Sequence, residues 1–178
     1  MSPTFYTYLS FFSRIVIITI FSISSWGKFT APQEFEAAIV DFRIVSPKLA
    51  KPLAFLFMII EPVIVLLLLF KQTLSVGFLS AAFLLVVFTV ALIAVIVRQL
   101  RIPCNCFGRN AKVVSWFDVS RNAILLTCAL LGFIAIRSVY TAPQKLGITD
   151  QSLLFFIAIA FAVLILNIEI LVLSLKSS

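Results

Sequence analysis

The sequence contains no histidine. Without imidazole the chain lacks the side chain that titrates near neutrality unperturbed, the usual haem ligand and the commonest metal ligand. Glycine is scarce, at 5 of 178 residues, which excludes a flexible linker or a collagen-like chain. Cysteine, at 3 residues, is too rare for a disulfide-stapled scaffold. Two neighbouring thiols with no histidine would also leave a metal's coordination unfilled, so no metal site is expected. Charge is scarce too: 12% of residues, only 7 of them acidic, against roughly a quarter charged in a soluble domain. The net charge of +7 is not read as a nucleic-acid footprint, because the basic residues flank apolar runs, where such residues sit at lipid headgroups. No low-complexity tract, clear repeat or separate soluble domain is visible.

What is abundant is apolar surface. Hydrophobic residues make up 62% of the chain, 19 of them Phe, and the mean hydropathy is +1.19. A bilayer core takes about 20 apolar residues as helix. The 24 residues 74–97 carry no charge and form the plainest span. Residues 52–70 form another, interrupted by Glu61, and residues 152–175, within a helix placed at 151–176, another, interrupted by Glu169. Residues 5–26 form a span that carries Arg14. The stretch 119–140 has a short uncharged centre, and spans if Arg121 and Arg137 lie near the two surfaces and snorkel. The N-terminal run has no basic segment before its apolar core and is interrupted by Arg14, so it reads as a retained helix rather than a signal peptide. The expected fold is all-α and integral to the membrane. Four helices within residues 1–140 form one membrane domain, and a fifth transmembrane helix follows at the C-terminal end, with the lipid bilayer as the first partner.

The connections are short. Residues 27–51 read as an amphipathic, polar loop with Pro32 and Pro47 as breakers. The connection 98–120 holds Pro103 and two close cysteines. With five helices, these two loops share a side with the C-terminus. That side holds Lys28, Arg43, Lys48, Lys51, Arg98, Arg101, Arg109, Lys112, Arg121 and Lys176, ten of the 14 basic residues, and the other holds Arg14, Lys71, Arg137 and Lys145. Taken literally, the positive-inside rule puts the ten in the cytoplasm.

Few residues carry chemistry. The sharpest feature is Cys104-Asn105-Cys106-Phe107-Gly108. Two thiols two residues apart reach disulfide distance if the backbone bends, in a ring small enough to be strained. Strained, exposed disulfides are the exchangeable ones. Pro103 fixes the chain before the pair and Gly108 permits a turn after it. Arg101 and Arg109 flank the pair, and nearby positive charge favours the thiolate. The bland alternatives are two unpaired small residues, or cysteines acylated near the membrane. Cys128, alone in an apolar helix, reads as a packed small residue. Glu61, directly before Pro62, is a carboxyl group inside a span, where an ionisable group is costly and marks either a functional site or an ion pair that fixes packing. Arg14, Lys28 and Arg121 are its candidate partners. They read either as snorkelling residues or as a cluster facing Glu61 and the thiols. Glu169 lies close enough to its helix end to snorkel. Ser115 or Asp118 is a candidate cap for the helix that follows, and Trp116 suits the interface.

These residues, in this order, resemble the MauE family, a group of small membrane proteins related to the DoxX-like group. The family's early arginine matches Arg14, its Gly-Lys element Gly27-Lys28, its helix-two glutamate Glu61, its C-G-C-F-G motif residues 104–108, and its Arg-Asn pair Arg121-Asn122. Asn105 replaces the motif's glycine and leaves the thiols in place. The likeness runs over roughly residues 14–136 and leaves out the fifth helix. It implies a four-helix DoxX-like core with the thiols at one membrane surface. It further implies a part in methylamine utilisation, where such proteins support maturation of a disulfide-rich exported dehydrogenase subunit beside a thioredoxin-like partner.

Two functions are therefore weighed. In the first, Cys104 and Cys106 exchange disulfides outside the cytoplasm, where such chemistry on exported proteins belongs. Glu61, Arg14, Lys28 and Arg121 tune the thiols or move protons, and a membrane quinone is a candidate redox partner. This opposes the charge tally, but several of the counted cations are motif residues expected to be buried. In the second, the chain is a non-enzymatic membrane assembly factor or small-molecule transporter centred on Glu61.

Overall fold

The computed structural model describes residues 3–100, 113–139 and 147–168. Among the described residues every element is helical: α1 (Pro3–Thr30), α2 (Pro32–Asp41), α3 (Pro47–Leu69), α4 (Leu74–Val97), α5 (Trp116–Val139) and α6 (Ile148–Leu166), with a 3-10 turn (Lys71–Thr73) between α3 and α4. All but α2 are long and apolar enough to cross a membrane. The chain is an all-α, multi-pass membrane protein.

Four of the spans close a square. α1 packs against α3 and α5, and α4 packs against the same two helices from the opposite corner. Helices consecutive among these four are thus neighbours, as short connections favour. α6 lies outside the square, packed on α1, where the Tyr8 hydroxyl donates to Asp150 Oδ2 at 2.9 Å.

Hydropathy cannot say which face of such helices turns inward, because both faces are apolar. Residue size does. On α4, Val76, Leu79, Phe83, Val86, Val90, Ile93 and Val97 are exposed, at three- and four-residue spacing. Gly77, Ala81 and Ala82 are buried on the opposite face. Small residues let backbones approach closely in lipid, where no hydrophobic force drives helices together. At Gly132 on α5 the approach is closest: a methyl there would lie 2.6 Å from Phe78 Cζ of α4.

The helix ends differ from the sequence expectation in a consistent way. Pro32 and Pro47 separate helices and also start them, each in the first turn of its helix, where the missing N–H has no intrahelical partner to lose. Residues 27–51, expected as a loop, therefore contain the end of α1, all of α2 and the first turn of α3. α3 begins five residues before the expected position 52, and its helical assignment runs unbroken through Pro52 and Pro62. α5 begins with one half of a capping box, the Asp118 side chain in its first turn reaching back to Ser115 before the helix. Asp118 Oδ2 accepts from the Ser115 backbone N–H at 3.0 Å and from the Ser115 hydroxyl at 3.4 Å.

Candidate functional site

The site is assembled where the last turns of α1 meet the interior of α3. Ser24, Ser25 and Lys28 occupy one turn of α1, and all three are buried. Ser24 and Lys28 are four residues apart and so share one face. That face meets Glu61 of α3, which is only 2% exposed. Lys28 Nζ forms an ion pair with Glu61 Oε1 and also donates to Ser24 Oγ at 2.7 Å. The Ser24 hydroxyl donates in turn to Glu61 Oε1, and the Ser25 hydroxyl to Glu61 Oε2, both at 3.4 Å. Both carboxylate oxygens thus have donors, the condition under which a charged group is tolerated away from water.

Two rings complete the enclosure of the ammonium. Lys28 Nζ lies 5.1 Å from the ring centroid of Phe35 on α2 and 5.1 Å from that of Phe88 on α4, within cation–π reach. Phe35 is 3% exposed and Lys28 1%. The short helix α2 therefore does more than connect, since it supplies a wall of the site.

Beside the pair is a cavity of about 40 Å³, lined by Ser24, Lys28 and Glu61 together with Phe42, Phe88, Arg121 and Asn122 among others. That is room for a few waters. Arg121 projects from the second turn of α5, and its guanidinium Nη2 lies 3.0 Å from Asp118 Oδ1. Asp118 thus links the Ser115 cap to the cavity wall. Above this wall Phe42, Leu92, Val95 and Val114 pack together, with Leu100 against them.

Of the expected site residues, Glu61, Lys28 and Arg121 come together around one cavity. Arg14 does not join them. It lies toward the other end of α1 and donates from Nε to the Leu68 carbonyl and from a terminal nitrogen to the Leu69 carbonyl, both at 2.6 Å. These are the last carbonyls of α3, groups that have no partner within their own helix. Arg14 caps α3 from a neighbouring helix. Cys104 and Cys106 lie outside the described residues, as does Glu169. Cys128 is a buried free cysteine in the main core cluster, as its setting suggested.

A family model described as methylamine utilisation protein MauE matches residues 6–135. The chain belongs to the MauE family. The stretch shared with the MauE model takes in most of α1, all of α2 to α4 and most of α5, with Lys28, Glu61, Cys104, Cys106 and Arg121, and ends before α6. Among curated proteins, the chain is similar to methylamine utilization protein MauE of Paracoccus denitrificans, 29% identical over 119 residues. That alignment covers 66% of this chain and 64% of the relative, just under two thirds of its length. It is also similar to the MauE of Paracoccus versutus, 28% identical over 150 residues, covering 81% of this chain and 80% of the relative. No solved structure matches the chain.

The sequence reading missed the wall residues Phe35 and Phe88 and the hydroxyls of Ser24 and Ser25. The four-residue step from Ser24 to Lys28 was the available signal: a hydroxyl one turn before a buried lysine stands on the same face. Phe35 carried no such signal while residues 27–51 were read as a loop.

Proposed function

We propose that this MauE-family chain takes part in methylamine utilisation as a membrane thiol–disulfide exchange protein, supporting disulfide formation in an exported protein beside a thioredoxin-like partner. The observation that carries this is the Cys104-Asn105-Cys106-Phe107-Gly108 motif in the connection between α4 and α5. The described residues that flank this connection, Leu100 and Val114, belong to the cluster over the Lys28–Glu61–Arg121 cavity. The exchange balances without any further reagent. A thiolate of the pair attacks a partner disulfide and forms a mixed disulfide. The second thiol resolves it, leaving the pair oxidised and two thiols on the partner, or the reverse. In this proposal the sulfurs face the extracytoplasmic side. The buried Lys28–Glu61 pair and Arg121 set the electrostatics of the cavity beneath.

Repeated turnover requires a renewed disulfide, for which a membrane quinone is a suitable class of acceptor. The cavity of about 40 Å³ falls well short of the ~150 Å³ that accepts a benzene ring. No residue here is assigned to a quinone, and no step is routed through one.

The test is complementation of a deletion strain growing on methylamine. Cys104→Ser and Cys106→Ser are each expected to abolish growth, and full growth of the double serine variant sinks the proposal. A second reading, an assembly factor or small-molecule transporter, is favoured by the buried Glu61 alone. It requires the opposite pattern, with Glu61→Gln severe and the serine variants mild.

A further inference from the structure

The surroundings of Lys28 have the make-up of a receptor for an ammonium ion. Its Nζ meets a buried carboxylate (Glu61), a hydroxyl at 2.7 Å (Ser24) and two phenyl rings at 5.1 Å. The other carboxylate oxygen is held by Ser25. Aromatic faces attract ammonium groups through the ring quadrupole, and a carboxylate supplies the counter-charge. The head of a lysine, Cε–NH3⁺, is itself a primary alkylammonium on a tether. The far side of the adjoining cavity carries Arg121, but Arg121 faces Asp118 at 3.0 Å, so that wall adds a pair of opposite charges rather than a lone cation.

We infer that Glu61, Ser24, Phe35 and Phe88 form a binding site for a primary ammonium group, that Lys28 is its tethered ligand, and that a free primary n-alkylammonium ion takes the site once Lys28 is shortened. The physical reason is the asymmetry of a buried ion pair: removing one partner leaves a charge with no water and no counter-ion. Lys28→Ala leaves Glu61 in that state, together with a gap the length of a short alkyl chain. A ligand that refills both restores the fold by mass action, because it binds the folded state only. Tetramethylammonium carries the charge but no N–H donor, so it cannot replace the bonds to Ser24 and Glu61. In the wild type the tether holds Lys28 in place at high effective concentration, and added amine has no effect. The inference is independent of thiol exchange, and its readout involves no cysteine.

The experiment uses the full chain in detergent, prepared with and without 50-fold and 500-fold molar excesses of methylammonium, n-propylammonium, tetramethylammonium or sodium chloride at equal ionic strength. Melting of Lys28→Ala is expected to fall below the wild type and to rise with the two primary amines, propyl above methyl. It should not respond to tetramethylammonium or sodium. Lys28→Met, which keeps the volume and loses the charge, and the double variant Lys28→Ala/Glu61→Gln should show no amine response. If Lys28→Ala folds only when expressed with propylammonium, that supports the site equally. Equal effects of all four salts, rescue that survives Glu61→Gln, or a variant that no amine restores overturns it.

Discussion

Arg14 and Lys28 are two cations on one helix that solve the same electrostatic problem differently. Lys28 neutralises a buried carboxylate, and Arg14 satisfies the orphan carbonyls at the end of α3. Their substitutions should therefore separate. Arg14→Met removes two charge-assisted hydrogen bonds and is expected to lower stability by about 2–3 kcal/mol. It should leave the rate of thiol exchange with a model disulfide unchanged, and a rate that falls several-fold would place Arg14 in the working site after all. For the ion pair, Lys28→Met and Glu61→Leu should each cost about 3–5 kcal/mol, because each leaves its partner's charge buried and alone. The double variant should be less destabilised than either single, and a double-mutant cycle in detergent checks this. Additive losses would show that the two side chains do not depend on one another. The sequence named Glu61 with Arg14, Lys28 and Arg121 as candidate partners and left open whether those cations snorkel or cluster. Which cation serves which acceptor was settled by height along the helix. Arg14 and Lys28 are fourteen positions apart, about 21 Å of helix, so one carboxylate cannot reach both.

The helices' termini carry the clearest element-scale expectation. α4 ends in a full Schellman arrangement. Leu100 N–H donates to the Val95 carbonyl and Gln99 N–H to the Ile96 carbonyl, at 3.1 and 2.9 Å. Leu100 and Val95 also share one apolar cluster. The residue in the left-handed position is Gln99, at φ 54°, where glycine is the usual occupant because a Cβ is disfavoured there. Gln99→Gly is expected to raise stability by up to about 1 kcal/mol. Gln99→Val, β-branched at the same φ, should lower it. Thermal melting of the two variants should move in opposite directions, and equal shifts would mean that the end of α4 does not hold this turn in the membrane. The five spans were legible because about 20 apolar residues leave few alternatives. Their ends and the short α2 were not, because a proline marks both the end of one helix and the first turn of the next. The spacing Phe35, Ala38, Ile39, all buried, is the helical signature that Pro32 obscured.

For the whole molecule, two physical arguments pull in opposite directions on its orientation. Arg98 donates to the Arg43 carbonyl at 3.0 Å, so the connections after α1 and after α4 meet at one end of the bundle, as the five-span count required. That end also carries the exposed Trp26 and Trp116, the aromatic residues that mark an interface. Of the ten basic residues that the sequence puts on this side, Lys28 and Arg121 face acidic partners, and of the four on the other, Arg14 is held by carbonyls. Pairing weakens the tally and keeps its sign, which favours the cytoplasm for this end. Exchange with an exported protein requires the other side of the membrane. Arg43 is exposed on one end and Lys71 on the other, which gives a test that needs neither thiol of the pair. In a background with all three native cysteines changed to alanine, Arg43→Cys and Lys71→Cys are each treated in intact cells with a membrane-impermeant maleimide. The proposed function expects Arg43→Cys to be labelled and Lys71→Cys to be protected until the cells are opened. The reverse pattern would put the Cys104–Cys106 connection on the reducing side, where a standing disulfide is not maintained. The buried Glu61 site would then be left as the part of the molecule on which its function has to be built.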